Sequence, residues 1–368
     1  MSIKTDQTQP TERATREDVV FLSSGVRCAA WLYRPTGTPA GDATAKPPLV
    51  VMAHGLGGTR HMRLDSYAQR FAQGGIAALV FDYRGFGDSE GSPRQIVDVP
   101  QQLQDWHAAL AYARTELATE VDVNRIAIWG TSFGGGHVLQ IAADDDNLAA
   151  VVAQCPFSDG VASTWKRFLD APVSAAVLFT LAVLDTIGGL LRLPPIRVPM
   201  AGTPWMPAFL ASHDSLSGAA DQAGPGTVAT ARTSANLRRF HSVRTRVGAH
   251  IEPSDRVAPK GSDSIWGTLI TPEGAVVVNA IAARLVLKLG LYRPGRSLRR
   301  STAPVLICAC DGDTVAPVGP TVRAGKGLPN VTVNRYPYGH FEIYNGDPFE
   351  HAVADQLAFL TAQLAPSR

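Results

Sequence analysis

The sequence predicts an α/β protein: a mostly parallel central sheet with helices on both faces, plus a largely helical inserted cap. Three observations carry this. Apolar runs of strand length alternate with helix-length patterns over most of the chain, as βα units do. The strand runs are continuous rather than alternating, for example PLVVMA at 48–53 and IAALVFD at 76–82, as parallel strands covered on both faces require. The alternation stops at Pro156 and resumes at Pro304. The 148 residues of 156–303 are too many for a simple loop.

Composition agrees. The chain has 368 residues, 45% hydrophobic and 18% charged, with a net charge of +2. That excludes a disordered or fibrous chain. The length suggests two domains or one large domain carrying an insertion. Four cysteines, Cys28, Cys155, Cys308 and Cys310, fit neither a C-x-x-C pair nor a spaced zinc site, so no disulfide framework or structural metal is expected. Free thiols in apolar segments suggest a reducing, cytoplasmic setting.

The elements follow in order. Residues 1–17 are polar, show no apolar signal region and are expected to form a disordered tail. Residues 18–23 and 27–34 read as an antiparallel pair turning at Ser24-Gly25. A Pro/Gly/Ala-rich connection covers 35–48. Strand 48–53, helix 62–73, strand 76–82, helix 99–117, strand 125–129 (RIAIW), helix 133–143 and strand 148–154 come next. After the break come strand 304–310 (PVLICAC), helix 320–327, strand 331–336 and helix 348–364. The core is therefore 18–155 with 304–368, and the cap 156–303. Within the cap, 172–191 is long and apolar enough to span a membrane. Asp185 and Gly188-Gly189 interrupt it, and strands of one sheet flank it. It reads as a buried helical pair in a lid, with membrane-surface contact or a span as the alternatives. An amphipathic stretch covers 275–291.

Charge is uneven. Residues 232–300 carry 13 Lys/Arg and 4 Asp/Glu, a balance of +9, against 21 and 28, or −7, in the other 299 residues. Such a segment could attract an anionic substrate, but a solvated face is the commoner use. The pairs Arg238-Arg239 and Arg299-Arg300 are too short to argue nucleic-acid binding.

The chemistry is concentrated in four strings. Gly130-Thr131-Ser132-Phe133-Gly134 is G-x-S-x-G between a strand and a helix. In that context Ser132 sits on a strained turn that lifts its hydroxyl, and Gly130 and Gly134 let the backbone close around it. Serine needs a base. His340, in Tyr338-Gly339-His340 after strand 331–336, has the position for it. An orienting carboxylate is expected from Asp311-Gly312-Asp313 after strand 304–310. Asp313 is the choice, with Asp311 shaping the turn and Asp159 a lesser candidate. His54-Gly55-Leu56-Gly57-Gly58 follows the first buried strand, and His54 and Gly55 would shape a loop of close backbone approach. The N–H groups of Leu56 and Phe133 are the expected oxyanion donors. The phosphate-loop patterns are absent there.

Together these strings resemble the α/β-hydrolase fold family, over about 18–157 and 304–364. H-G-L-G-G, D-Y-R-G-F-G-D-S-E-G at 82–91, G-T-S-F-G, D-G-D-T-V-A-P and Y-G-H match its motifs in order. The 82–91 string is similar to the Xaa-Pro dipeptidyl-peptidase-like and polyketide-transferase-like branch. There Arg84, Gly85 and Gly87 look like a tight bracing loop, Arg84 through a structural salt bridge. The resemblance implies a serine hydrolase with no cofactor and no metal. Ser132 in the elbow departs from relatives that use an Asp nucleophile for dehalogenation or epoxide opening. The expected reaction is cleavage of a carboxylic ester, thioester or amide with an apolar acyl or aromatic portion. An acyltransferase or peptidase on the same triad, and a non-catalytic binding protein on the same fold, remain alternatives. The expected partner is a small lipophilic ester, with no nucleic acid; oligomeric state is open.

Overall fold

The computed structural model describes residues 14–35, 46–223, 227–230, 267–271 and 274–366. Most of the expected tail and of the 35–48 connection, and the basic residues at 232–260, lie outside the described residues.

One eight-stranded sheet organises the chain, in the order β1-β2-β4-β3-β5-β6-β12-β13. β1 (Thr15–Ser23) and β2 (Val26–Arg34) are antiparallel, and β2 is antiparallel to β4 (Ala77–Phe81). The remaining pairs are parallel: β3 (Leu49–Ala53), β5 (Ile126–Thr131), β6 (Ala150–Gln154), β12 (Val305–Cys310) and β13 (Val331–Tyr336). β1 begins at Thr15, so residues 15–17, read as tail, are strand instead. They pair with Leu32, Tyr33 and Arg34. Every residue of β3, β4, β5, β6 and β12 is buried, which accounts for their unbroken apolar sequence.

Helices cover both faces. α1 (Leu64–Gln73) and α9 (Gly346–Gln363) pack on one side, around Trp129 and Tyr67. α2 (Val99–Thr115), α3 (Phe133–Asp144) and α8 (Val318–Gly325) pack on the other. α2 starts where Asp98 accepts from the Gln101 N–H and Pro100 enters the first turn. Arg84 forms a buried ion pair with Asp105 of α2, 2.6 Å from Nε to Oδ1.

Between β6 and β12 the chain forms α4 (Gly160–Asp170), α5 (Pro172–Leu190), β7 (Arg197–Val198), α6 (Ser215–Gln222), β8 (Val228–Thr230), β9 (Thr268–Ile270), β10 (Val276–Val278), β11 (Ile281–Ala282) and α7 (Leu285–Leu289). A 3-10 helix, Pro294–Arg300, leads back to the sheet. One expectation fails here. The 172–191 stretch is one continuous helix, not a buried pair, and only four of its nineteen helical residues are buried. Gly188 and Gly189 fall in its last turn, where they do not break it. The amphipathic 275–291 stretch is divided into two strands and a short helix, with Asn279 between the strands and its side chain pairing with the backbone of Ala201.

Asp185, the one charge in α5, is buried and fully engaged. It holds the Arg284 guanidinium through two contacts of 2.8 Å and accepts from the backbone N–H groups of Ile196 and Arg284. Burial works against its ionisation, but these donors outweigh it and hold the carboxyl below its usual range. The same pattern resolves part of the charge asymmetry. Lys288 pairs with Asp98, Arg293 with Asp159 and Arg300 with Asp144, so described cations of the basic segment meet carboxylates outside it.

Candidate active site

The sheet brings four loops together at the carboxyl ends of its parallel strands, where open α/β sheets bind ligands. β5 ends at Thr131, and Ser132 follows with φ 55° and ψ −117°. This left-handed conformation is strained for a residue with a side chain. Glycine is required on both sides by packing. A Cβ on Gly130 would lie 2.2 Å from the Gly134 carbonyl oxygen, and one on Gly134 would lie 2.4 Å from that of His54. The turn is thereby locked against the loop after β3. That loop comes equally close: a Cβ on Gly55 would stand 2.9 Å from the Ser132 Cβ.

His340 lies in the loop after β13, with its ring buried. Its Nε2 is 3.0 Å from Ser132 Oγ, and its Nδ1 is 2.6 Å from Asp313 Oδ2. With the proton on Nδ1, the ring donates to the carboxylate and accepts from the hydroxyl. Asp313, after β12, is itself held: its Oδ1 accepts from the N–H groups of Val315 and Ala316, at 2.8 and 2.6 Å. The turn-shaping bond expected of Asp311 is thus made by Asp313. Asp311 instead forms an exposed ion pair with Arg335. Asp159 caps α4 and binds Arg293, and does not reach His340.

Leu56 and Phe133 line the pocket that contains Ser132. Phe133 is the first residue of α3, where helix N–H groups have no partner a turn earlier. His54 is buried, its Nδ1 2.9 Å from the Gly55 carbonyl oxygen. Burial lowers its pKa more than nearby Asp82 raises it, so the ring is neutral. Within α3, His137 is also buried. Burial pushes its pKa down to about 3. The neutral ring bridges Tyr292 and Gln102.

The pocket has a cavity volume of about 100 Å3 and opens to solvent. Phe133, Phe157, Leu178, Phe209, Val286 and Leu289 give it an apolar lining. Four of these six belong to residues 158–303, so that segment forms much of the wall. It is tied to the site. Thr314 donates to Asp214, and Phe341, next to His340, packs where a Cβ on Gly218 of α6 would fall 2.3 Å from its ring.

Behind Ser132 lies a polar network that sequence reasoning missed. Thr131 Oγ1 contacts Tyr344 OH, Gln154 reaches Thr131, Gln356 bonds Gln154, and Trp129 Nε1 donates to Gln356. Its members are up to 227 residues apart, so no local pattern announces it. Cys155, with φ 42°, completes the floor. Its Sγ, the Asp313 carboxylate and a His340 nitrogen lie within 4.8 Å of one another. This group suits a metal poorly. Burial raises the Cys155 thiol well above its usual pKa, and Asp313 and His340 are already bonded to each other.

The chain is similar in sequence and in fold to several known proteins. Residues 45–192 match the family described as serine aminopeptidase, S33. The chain is 43% identical over 343 residues to the quorum-quenching protein AidA of Acinetobacter baumannii, covering 93% of each chain. It is 32% identical over 189 residues to the polyketide transferase ATR5 of Stachybotrys chlorohalonatus, covering 51% of this chain and 58% of that one. Among solved structures, the α/β hydrolase GrgF from a Penicillium species superposes with a TM-score of 0.66 at 21% identity, over 96% of this chain and 100% of that one.

Proposed function

The chain belongs to the α/β-hydrolase family, and from that premise we propose that it is a serine hydrolase of carboxylic esters with an apolar acyl or aromatic portion. The observation that carries this is the His340 ring, held at hydrogen-bond distance between Ser132 and Asp313 beside an apolar pocket.

The steps follow from the geometry. Ser132 Oγ attacks the carbonyl carbon while His340 Nε2 takes its proton. Asp313 orients the ring and stabilises the imidazolium. The oxyanion points to the N–H groups of Leu56 and Phe133, at the positive end of α3. His340 then protonates the leaving alcohol. Water, deprotonated by the same ring, releases the acid and restores the serine. Residues 156–303 act as a cap whose apolar wall selects the acyl group.

A second reading has specific support. Relatives named as polyketide transferase and thiohydrolase match about half of the chain, which favours thioester substrates or transfer to an acceptor other than water. The quorum-quenching relative supports a small diffusible substrate.

A fluorophosphonate probe tests the core claim. It should label the wild type and leave Ser132→Ala unlabelled; folded wild type that resists labelling removes the proposal. p-Nitrophenyl esters of increasing chain length, assayed beside acyl thioesters and proline amides, then separate the readings. Preference for longer apolar acyl esters is expected, and preference for proline amides contradicts it.

A further inference from the structure

Of the sixteen large apolar side chains exposed among the described residues, eleven lie between positions 161 and 191, on and around α4 and α5. The pocket does not use them; it takes Leu178, from the buried face of α5. The exposed positions Val173, Val177, Thr180, Leu184, Ile187 and Leu191 follow at steps of four, three, four, three and four. This is the 3.5-residue repeat of a helix–helix seam. Ser174, Leu178, Ala182 and Asp185, which α5 turns to its own chain, form a separate stripe. α4 adds exposed Val161, Trp165 and Phe168 at steps of four and three.

The chemistry of the patch selects its partner. A helix lying on a lipid surface carries Lys and Arg on its polar face, and α5 contains neither. A membrane span would have to pull Asp185 away from Arg284. The eleven side chains, each about half exposed or more, offer on the order of 1,000 Å2. A stable interface needs roughly 800 Å2 per partner. A single seam also satisfies itself when two identical copies meet about a two-fold axis. We infer that the α4–α5 face is a homodimer interface, in which two copies pair these helices as an antiparallel four-helix bundle. The middle of the α5 stripe, at Thr180 and Leu184, then lies near the axis and meets its own copy.

Sedimentation at micromolar concentration tests this. The wild type should run at twice 39.1 kDa. The double variant Leu184→Glu, Ile187→Glu should run at 39.1 kDa with an unchanged near-ultraviolet circular dichroism spectrum. Thr180→Cys should crosslink to itself under mild oxidation. The wild type should not, because its four cysteines are buried. A monomeric wild type, a dimer that survives the double substitution, or a monomer that floats with anionic liposomes would each overturn the inference. None of these readouts depends on the proposed chemistry.

Discussion

Two regions of this chain use the same apolar residues in opposite ways. Around Ser132 they are sealed inward, and α3 buries Phe133, Val138, Leu139 and Ile141 against the sheet. On α5 they face outward, and the helix buries only Ser174, Leu178, Ala182 and Asp185. The first region is held by close backbone approaches that admit no side chain. The second is held to the chain by two polar anchors, Asp185 with Arg284 and Ser174 with Arg167 and the Pro204 carbonyl oxygen. Hydrophobicity alone therefore does not say where a segment goes; the groups that hold it do.

This contrast can be tested by substitutions of decreasing effect. The largest is chemical. Ser132→Ala should lower kcat on an ester by a factor on the order of 10^4 or more, with an unchanged melting curve; a loss below tenfold would detach the chemistry from the strand ends. Next comes Gly134→Val, which drives a side chain into the His54 and Ala53 carbonyl oxygens, 2.4 and 3.0 Å from a Cβ. It should cost above about 4 kcal/mol in urea unfolding and leave little soluble protein.

Asp185→Ala tests the outer region by the same measure. It strands the Arg284 guanidinium and should cost about 3–5 kcal/mol. A cost near zero would mean that the Ser174 contacts and packing hold α5 without Asp185.

A smaller effect depends on pH. His137 is neutral in the folded chain, with a pKa of about 3, and ordinary when unfolded. Between pH 6.5 and about 3 the unfolded chain binds more protons, so stability falls as pH falls, by about 1.4 kcal/mol per unit. Melting points measured from pH 7 to 4 should drop less in His137→Gln than in the wild type. The smallest effect contrasts two tryptophans. Trp129 is fully buried and Trp205 is 89% exposed. Trp205→Ser should shift stability by no more than about 0.5 kcal/mol, whereas Trp129→Ser should cost several times that.

The legible part of the chain was the part governed by local geometry. A strand-to-helix turn needs glycines at set offsets, so Gly130 and Gly134 announce Ser132. Strand ends announce Asp313 and His340. Sheet strands buried on both faces read as unbroken apolar runs. What stayed hidden depends on partners distant in sequence. Gln154, Gln356 and Tyr344 meet Thr131 only in the fold. The run at 172–191 is as apolar as a core strand, and only the exposure of side chains such as Val173, Phe179 and Leu190 shows that much of it faces outward. Asp313 is preferred to Asp311 in the string D-G-D from the sequence alone, but that its Oδ1 also takes the N–H groups of Val315 and Ala316 is seen only in the fold.

The base of the long segment between β6 and β12 has a consequence for engineering. The outgoing and returning strands of chain run side by side there. The Gly160 N–H donates to Tyr292, the Gly295 N–H donates to Ser158, and Arg293 grips Asp159. These contacts form a suture, beyond which the described parts of 161–291 meet the core again through contacts such as Asp214 with Thr314 and Gly218 with Phe341. The 3-10 helix Pro294–Arg300 lies on the near side, where it completes the crossover to β12. A short turn grafted across the suture would excise the pocket wall while keeping the crossover, the sheet register and the three loops that carry Ser132, Asp313 and His340. Walls from other chains could be transplanted at the same two points.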